Sequence, residues 1–209
     1  MTKVFEEMNK SIMRIYPLLV PHNSTQRGVS LIMVMLILVV VSLLGIGGVQ
    51  IAIMGERGAR NDRDQQVAWQ AAEAGLIDAE NDMLTATSAT RRAVFDGKTQ
   101  KDFVAACGAS GDSTGLCSLV LTGKQAWLTV DFTATGTSAP TTPFGKFTGR
   151  TFAAGGVGIQ PAKAPRYVIE VVSDPNGDKS DPTFLYRVTA MGFGPRTDIQ
   201  AVLQMIYRI

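Results

Sequence analysis

The sequence predicts an α+β protein in which one long N-terminal helix packs on a small antiparallel β-sheet. Three observations support this prediction: an uncharged apolar run, an amphipathic continuation without proline, and three β-rich segments near the C-terminus. A helix with one apolar stripe and a sheet with one apolar face can bury both surfaces by packing together.

The apolar run extends over residues 29–54 and contains no Asp, Glu, Lys or Arg. As a helix it would be about 39 Å long at ~1.5 Å per residue, whereas a hydrocarbon core of ~30 Å requires only about 20 apolar residues. A core helix of a soluble protein is seldom uniformly apolar over such a length. The run therefore predicts a transmembrane helix.

The charges before this run predict its orientation. Residues 1–28 hold four Lys or Arg and two Glu, a net charge of four minus two, or +2, equal to that of the whole chain. Short basic flanks stay in the cytoplasm, so residues 55–209 are expected in the bacterial periplasm. A net charge of +2 is too small to indicate a nucleic-acid partner.

The helix is expected to continue beyond the membrane as an amphipathic half over residues 55–84. This stretch contains no proline, and its C-terminal part is rich in Ala, Gln, Glu and Asp. Spacings of three and four, typical of one helix face, relate the apolar residues Trp69, Ala72, Leu76, Ala79 and Met83. This stripe is the predicted cover of the sheet.

Residues 85–209 form the predicted α+β domain. Its expected elements are a polar connection at 85–92, a short helix or turn at 93–104, a strand-like segment at 125–133 and a loop with one short strand at 135–165. Three further strands are predicted at 167–172, 184–190 and 199–207, with a turn at 174–178. These three strands are expected to form an antiparallel meander.

Two cysteines, Cys107 and Cys117, enclose a loop rich in Gly and Ser. In an oxidising compartment they can close this loop as a disulfide, and two free or buried thiols are the alternative. Two sulfurs at this spacing lack the further ligands of a usual zinc site. The sequence therefore predicts no metal and no other cofactor.

Three segments together resemble one protein family. Residues 26–32, followed by the apolar run, are similar to the leader and cleavage junction of class III prepilins. Arg63, Asp64 and residues 70–74 (QAAEA) resemble the signature of PilX-type minor pilins of type IV pili. Residues 186–194 and 201–204 resemble the closing hairpin of that subfamily. The resemblance is poor between about residues 85 and 165.

The resemblance implies a pilin-like fold and a defined maturation. An inner-membrane prepilin peptidase would cut between Gly28 and Val29, remove residues 1–28 and methylate the new amine of Val29. The protein would first be a single-pass inner-membrane protein with a periplasmic C-terminus, and then part of a pilus on the cell surface. The residues assigned to its assembly helix are Met33, Trp69, Glu73 and Leu76.

The function implied is that of a structural subunit that primes type IV pilus assembly, lies at or near the tip, and supports adhesion and twitching motility. The implied partners are other minor pilins, the major pilin, the prepilin peptidase, the assembly platform and a tip adhesin. Two alternatives stay open: a minor pseudopilin of a type II secretion system, and a single-pass membrane protein with a periplasmic binding domain.

One position departs from the general pilin pattern. Most pilins carry a glutamate five residues after the cut, and Met33 occupies that position here. PilX-type pilins and the tip pseudopilins of type II secretion also commonly lack this glutamate. The departure therefore supports the subfamily.

Catalytic chemistry has few candidate residues in this chain. The only histidine is His22, which lies in the expected leader, so the mature chain would have no histidine for a triad, a general base or a metal site. The acidic turn at residues 174–181 partly matches a calcium loop, but Lys179 and Leu185 stand where glycine and glutamate are required. We predict a solvated turn there, and a protein that is not an enzyme.

Overall fold

The structure is a computed structural model that describes residues 29–178 and 180–209. The expected leader, including Gly28 and His22, lies outside the described residues. The chain divides into two compact units, Met1–Ile53 and Met54–Ile209.

A single helix, α1, extends over Val29–Thr85, which is 57 residues and agrees with the predicted long helix. The first unit contains its uncharged part, whose large apolar side chains are exposed to the surroundings. Among the described residues, α1 is the one helix that is long and apolar enough to cross a membrane. Proline is absent from α1, so every backbone N–H beyond its first turn can donate within the helix.

The second unit contains one sheet, whose strands in the described residues are β1 (Leu116–Cys117), β2 (Thr142–Pro143), β3 (Arg166–Ser173), β4 (Phe184–Phe193) and β5 (Gln200–Tyr207). The strand order is β1-β3-β4-β5, with β2 also paired to β3. The three long strands pair antiparallel in sequence order, which confirms the predicted meander. Strand β1 pairs parallel with β3, so the sheet is mixed rather than wholly antiparallel.

Side chains alternate between the two faces of the sheet, as the pleat of a strand requires. One face packs on α1, and this main core contains Ala79 and Met83 of α1 with Tyr167, Ile169, Val171, Tyr186 and Val188 of the sheet. On the opposite face, Val168 packs with Ala126, Phe132 and the two cysteines. Strand β3 is therefore covered on both faces, which explains why six of its eight residues are buried.

The strand-like prediction for residues 125–133 was wrong. The chain forms a short 3₁₀ helix at Ala126–Leu128, and the N–H of Thr129 donates to the carbonyl of Ala126 at 2.9 Å. The edge of the sheet beside β3 is already occupied by β1. The segment lies instead over a sheet face, where the N–H of Trp127 donates to the carboxylate of Glu170 at 3.3 Å.

The short helix near residue 93 lies earlier than predicted. Helix α2 extends over Ala89–Ala93, mostly within the segment that was expected to be a polar connection, whereas residues 94–104 contain turns, the other predicted alternative. Ser88 precedes it, and its hydroxyl accepts a hydrogen bond from the N–H of Arg91 at 3.2 Å. A serine in this position satisfies a backbone donor that the helix leaves unpaired, so α2 begins there.

Candidate assembly helix

The N-terminal part of α1 presents an apolar surface on all sides. Val29 and Met33 are 65% and 60% exposed, and the other large apolar residues up to Met54 are similarly exposed. Such a surface is stable in lipid or among other apolar helices, because either environment removes it from water. Met33 lies within this surface and brings no charge to it.

The C-terminal part of α1 contacts the sheet through small residues. Ala68, Ala71, Ala72 and Gly75 are buried on this face of the helix. A Cβ added to Gly192 of β4 would lie 2.2 Å from the carbonyl oxygen of Ala68 and 2.2 Å from the nitrogen of Ala72. Backbone therefore meets backbone at this crossing, and only side chains as small as alanine fit beside it.

The prediction that Trp69 belongs to the buried stripe was wrong. Its indole is 50% exposed, and its Nε1–H donates to Glu73 Oε1 at 2.9 Å on the face away from the sheet. The crossing at Gly192 leaves no room for an indole, so Ala68 and Ala72 occupy the inward positions. The remainder of the predicted stripe is confirmed, since Ala72, Ala79 and Met83 are buried and Leu76 is half-buried against the core.

The outward face of α1 combines apolar and acidic side chains. Trp69, Ile77 and Leu84 are each about half exposed, and Glu73 lies one helical turn after Trp69 and one before Ile77. Residues four apart lie on the same side of a helix. We call the face formed by Trp69, Glu73, Ile77 and Leu84 the outward face of α1.

A buried ion pair fastens the end of α1 to α2. Arg91 donates through Nη2 to Asp82 Oδ2 at 2.6 Å and through Nε to Asp82 Oδ1 at 3.0 Å, and neither side chain is exposed to solvent. The hydroxyl of Tyr167 donates to the same carboxylate at 3.0 Å. Burial, reinforced by the charge of Asp82, raises the pKa of Tyr167 well above its ordinary value, so this hydroxyl stays a donor.

Arg91 also reaches beyond the ion pair. Its Nη1 donates to the carbonyl oxygens of Thr114, at 3.1 Å, and of Asp112. The guanidinium lies over the ring of Phe147, 4.1 Å from its centroid. All three guanidinium nitrogens of Arg91 therefore donate hydrogen bonds, as a buried charge requires.

A second buried carboxylate ties a surface loop to α1. Asp78 accepts hydrogen bonds from the N–H of Gly145 at 2.7 Å and from the hydroxyl of Thr148 at 2.6 Å. Gly145 has a φ of +79°, and a Cβ there would lie 2.0 Å from the carbonyl oxygen of Arg150. The loop therefore needs glycine at this turn in order to present its N–H to Asp78.

Cys107 and Cys117 are joined by a disulfide and are both buried. The loop between them is also held by backbone hydrogen bonds, from Gly108 N–H to the Leu116 carbonyl at 3.1 Å and from Gly115 N–H to the Gly108 carbonyl at 2.8 Å. The bonded sulfurs pack under Val168 of β3. The disulfide thus links the loop to the core.

Replacing Cys107 with serine is expected to lower the free energy of unfolding by roughly 2–3 kcal/mol. The substitution removes the loop-closure constraint on the unfolded chain, and it also places a hydroxyl in a buried site. Urea unfolding of the mature protein in detergent, with and without reductant, measures this difference. Reductant should destabilise the unaltered protein and leave the stability of the variant unchanged. Two thiols that can be alkylated in the native protein would show that the disulfide is absent.

The acidic turn after β3 is stabilised by protein groups. Asp174 accepts from the N–H of Asn176 at 2.9 Å and pairs with Arg208 at 2.6 Å. Its pKa is lowered chiefly by the hydrogen bond from the Asn176 N–H. Within residues 29–178 and 180–209, no three His, Cys, Asp or Glu side chains are grouped closely enough to hold a metal ion.

Two family models match the chain. PilX N-terminal matches residues 27–76, and Type IV pilus assembly protein PilX C-term matches residues 57–209. The chain belongs to the PilX family of type IV pilus minor pilins. Members of this family are structural subunits of a pilus system, so other pilins are its partners. No curated protein and no solved structure matches the chain significantly.

The PilX signature at residues 70–74 has a structural explanation in this fold. Ala71 and Ala72 are buried where α1 crosses Gly192, whereas Glu73 faces outward and accepts from Trp69. The buried acids Asp78 and Asp82 were missed by the sequence analysis. Their spacing of four on the inward face of the helix was the available signal, but acidic residues on an amphipathic helix are usually solvated.

Proposed function

We propose that this PilX-family protein primes type IV pilus assembly, lies at or near the pilus tip, and catalyses nothing itself. Through that position it supports adhesion and twitching motility. The observation that carries the proposal is Met33, an uncharged side chain within the uninterrupted apolar part of α1. Its partners are the other minor pilins, the major pilin, the prepilin peptidase, the assembly platform and a tip adhesin.

Maturation precedes assembly in this proposal. The peptidase removes residues 1–28 by cutting between Gly28 and Val29, and residues 29–54 remain in the inner membrane with residues 55–209 in the periplasm. The helix then leaves the bilayer for a bundle of similar helices at the centre of the pilus. Apolar partners replace lipid during this step, so the exposed surface of Val29 to Met54 need not enter water.

The absence of a carboxylate at residue 33 favours the distal end of the filament. In other pilins, the glutamate at this position pairs with the N-terminal amine of an adjoining subunit. A carboxylate within the bilayer costs up to about 2.5–3.5 kcal/mol on insertion scales, so a partner must offset it. A subunit at the distal end has no further neighbour to supply that amine, and Met33 avoids the cost.

The outward face of α1 is the surface proposed for contact with neighbouring subunits. Replacing Trp69 with alanine is expected to reduce pilus number several-fold while changing the free energy of unfolding by less than about 0.5 kcal/mol, because the indole lies outside the core. Trp69→Phe keeps the ring and should retain most assembly. Counting pili by electron microscopy tests this prediction. An unchanged pilus number in the alanine variant would show that the outward face of α1 does not contact neighbouring subunits.

Localisation tests the proposed position. Immunogold labelling of the protein should mark pilus ends, and deletion of its gene should reduce pilus number more than pilus length. Label distributed evenly along the shafts would reject the tip position and leave the family unchanged. Loss of secreted enzymes with intact pili would instead indicate a pseudopilin of a type II secretion system.

A further inference from the structure

A cavity of about 400 Å³ opens on the sheet face opposite α1. Its volume is within the range of small-ligand sites, about 300–1,000 Å³. Buried Phe132, Phe193 and Arg166 are among its lining residues, and exposed Thr133, Thr135 and Lys163 also line it. We call it the Arg166 cavity.

Arg166 is a buried cation without an acidic partner in the described part of the chain. It is 8% exposed, and its Nε and Nη2 donate to the hydroxyl and carbonyl oxygens of Thr141 at 2.6 and 2.7 Å. These bonds hold the guanidinium in place and use one of its sides. Burial lowers the pKa of Arg166 from its ordinary value, which reflects the cost of keeping this charge away from water.

The remaining nitrogen of Arg166 is available to a ligand. Within residues 29–178 and 180–209, Nη1 has no hydrogen-bond acceptor, and no buried side-chain nitrogen or oxygen lacks a partner. Nη1 is therefore accessible to solvent, and the Arg166 cavity is the opening that the side chain lines. A guanidinium fixed by two bonds loses little further freedom on binding an anion.

Lys163 provides a second cation at the rim. Its Nζ lies 5.9 Å from the centroid of the Phe193 ring, within reach of the same cavity. Hydrogen bonds from Thr133 are the main cause of the lowered pKa of nearby Asp131, and the charge of Lys163 contributes to it. Among the residues that line the cavity, Arg166 and Lys163 are cationic and none is acidic, so the cavity suits an anion, and the rings of Phe132 and Phe193 favour an organic anion over inorganic phosphate.

We propose that the Arg166 cavity binds a carboxylate group, with Arg166 Nη1 and Lys163 Nζ donating to its oxygens. The rings of Phe132 and Phe193 would contact the apolar part of the same ligand. The hydroxyl of Thr135 would donate to it at the rim, whereas that of Thr133 already donates to Asp131. An acidic sugar or the C-terminal carboxylate of a peptide carries this chemistry. The proposal depends on the cavity and not on the position of the protein in a pilus.

Ligand-observed NMR on the mature full-length protein tests this site. The protein is held in an amine-oxide detergent, which adds no sugar, carboxylate or phosphate. The probes are glucuronate, N-acetyl-L-alanine as a peptide-like carboxylate, glucose as the uncharged counterpart of glucuronate, and inorganic phosphate. At least one carboxylate should bind more tightly than glucose and phosphate, and whichever of the two binds more tightly identifies the source.

Two variants and one control decide the outcome. Lys163→Met removes an exposed cation and should weaken carboxylate binding about tenfold, as expected for a hydrogen bond to a charged group. Arg166→Gln should abolish binding, and circular dichroism checks that it folds. Lys101→Met removes an exposed lysine outside the cavity and should change nothing. Three results would overturn the proposal. They are no binding of either carboxylate, tighter binding of phosphate or glucose than of both carboxylates, and equal carboxylate affinity of Lys163→Met and the control.

Discussion

Replacing Arg91 with methionine is expected to lower the free energy of unfolding of the C-terminal domain by about 3–5 kcal/mol. The substitution leaves the carboxylate of Asp82 buried with only the hydroxyl of Tyr167 as a donor, because both members of the ion pair are fully enclosed. It also removes the donors to the carbonyl oxygens of Asp112 and Thr114. The packing of methionine over Phe147 recovers only a part of this loss.

Urea unfolding of the mature protein in detergent measures the effect. Arg60→Met is the matched control, because Arg60 pairs with Glu56 on the exposed part of α1 and the change should cost less than about 0.5 kcal/mol. Combining Arg91→Met with Asp82→Leu should recover much of the stability, since no charge is then left buried without a partner. A loss for Arg91→Met as small as that of the control would show that the pair does not hold α2 on α1.

Replacing Gly192 with alanine is expected to destabilise the domain by about 3 kcal/mol or more. The new Cβ would lie 2.2 Å from backbone atoms of both Ala68 and Ala72, so the helix and β4 must separate. Overpacking against side chains typically costs about 1–3 kcal/mol, and backbone atoms cannot rotate away as side chains do. The separation would also loosen the close packing at Gly75, where an added Cβ would lie 3.1 Å from the Cβ of Ala190.

Gly58→Ala is the control for this change. Gly58 lies in α1 with nothing within 4 Å of an added Cβ, so alanine should stabilise the helix by up to about 1 kcal/mol. The two substitutions add the same methyl group and are expected to shift the urea midpoint in opposite directions. An unchanged midpoint for Gly192→Ala would mean that the helix and β4 are not in close contact at this crossing.

The elements with a long and regular pattern could be predicted from the sequence. The apolar run and the Ala-rich continuation predicted α1, and the β-rich segments before and after the acidic turn predicted β3, β4 and β5. Each of these elements has a periodicity that the local sequence alone determines. The disulfide was also predictable from the local sequence, because Cys107 and Cys117 are only 10 residues apart and enclose a flexible loop.

The features that depend on distant partners could not be predicted in this way. Trp69 has the correct spacing for the buried stripe, and only the approach of Gly192 from β4 excludes it. The β-rich sequence of residues 125–133 fits a strand, but β1 already occupies the sheet edge and Glu170 accepts from the N–H of Trp127, so the segment forms a short 3₁₀ helix instead. Asp82 looks like a solvated residue until Arg91 and Tyr167 are placed beside it.

The identity of the N-terminal residue tests most directly whether this chain matures and assembles as a pilin. Mass spectrometry of the intact protein from membranes or sheared pili should find Val29 at the N-terminus with a methylated amine. Gly28→Val should block cleavage and leave the longer precursor in the membrane, because the proposed junction requires a residue without a side chain. A protein that begins near residue 1, or one that begins after Met54 and so lacks the apolar part of α1, would contradict the account.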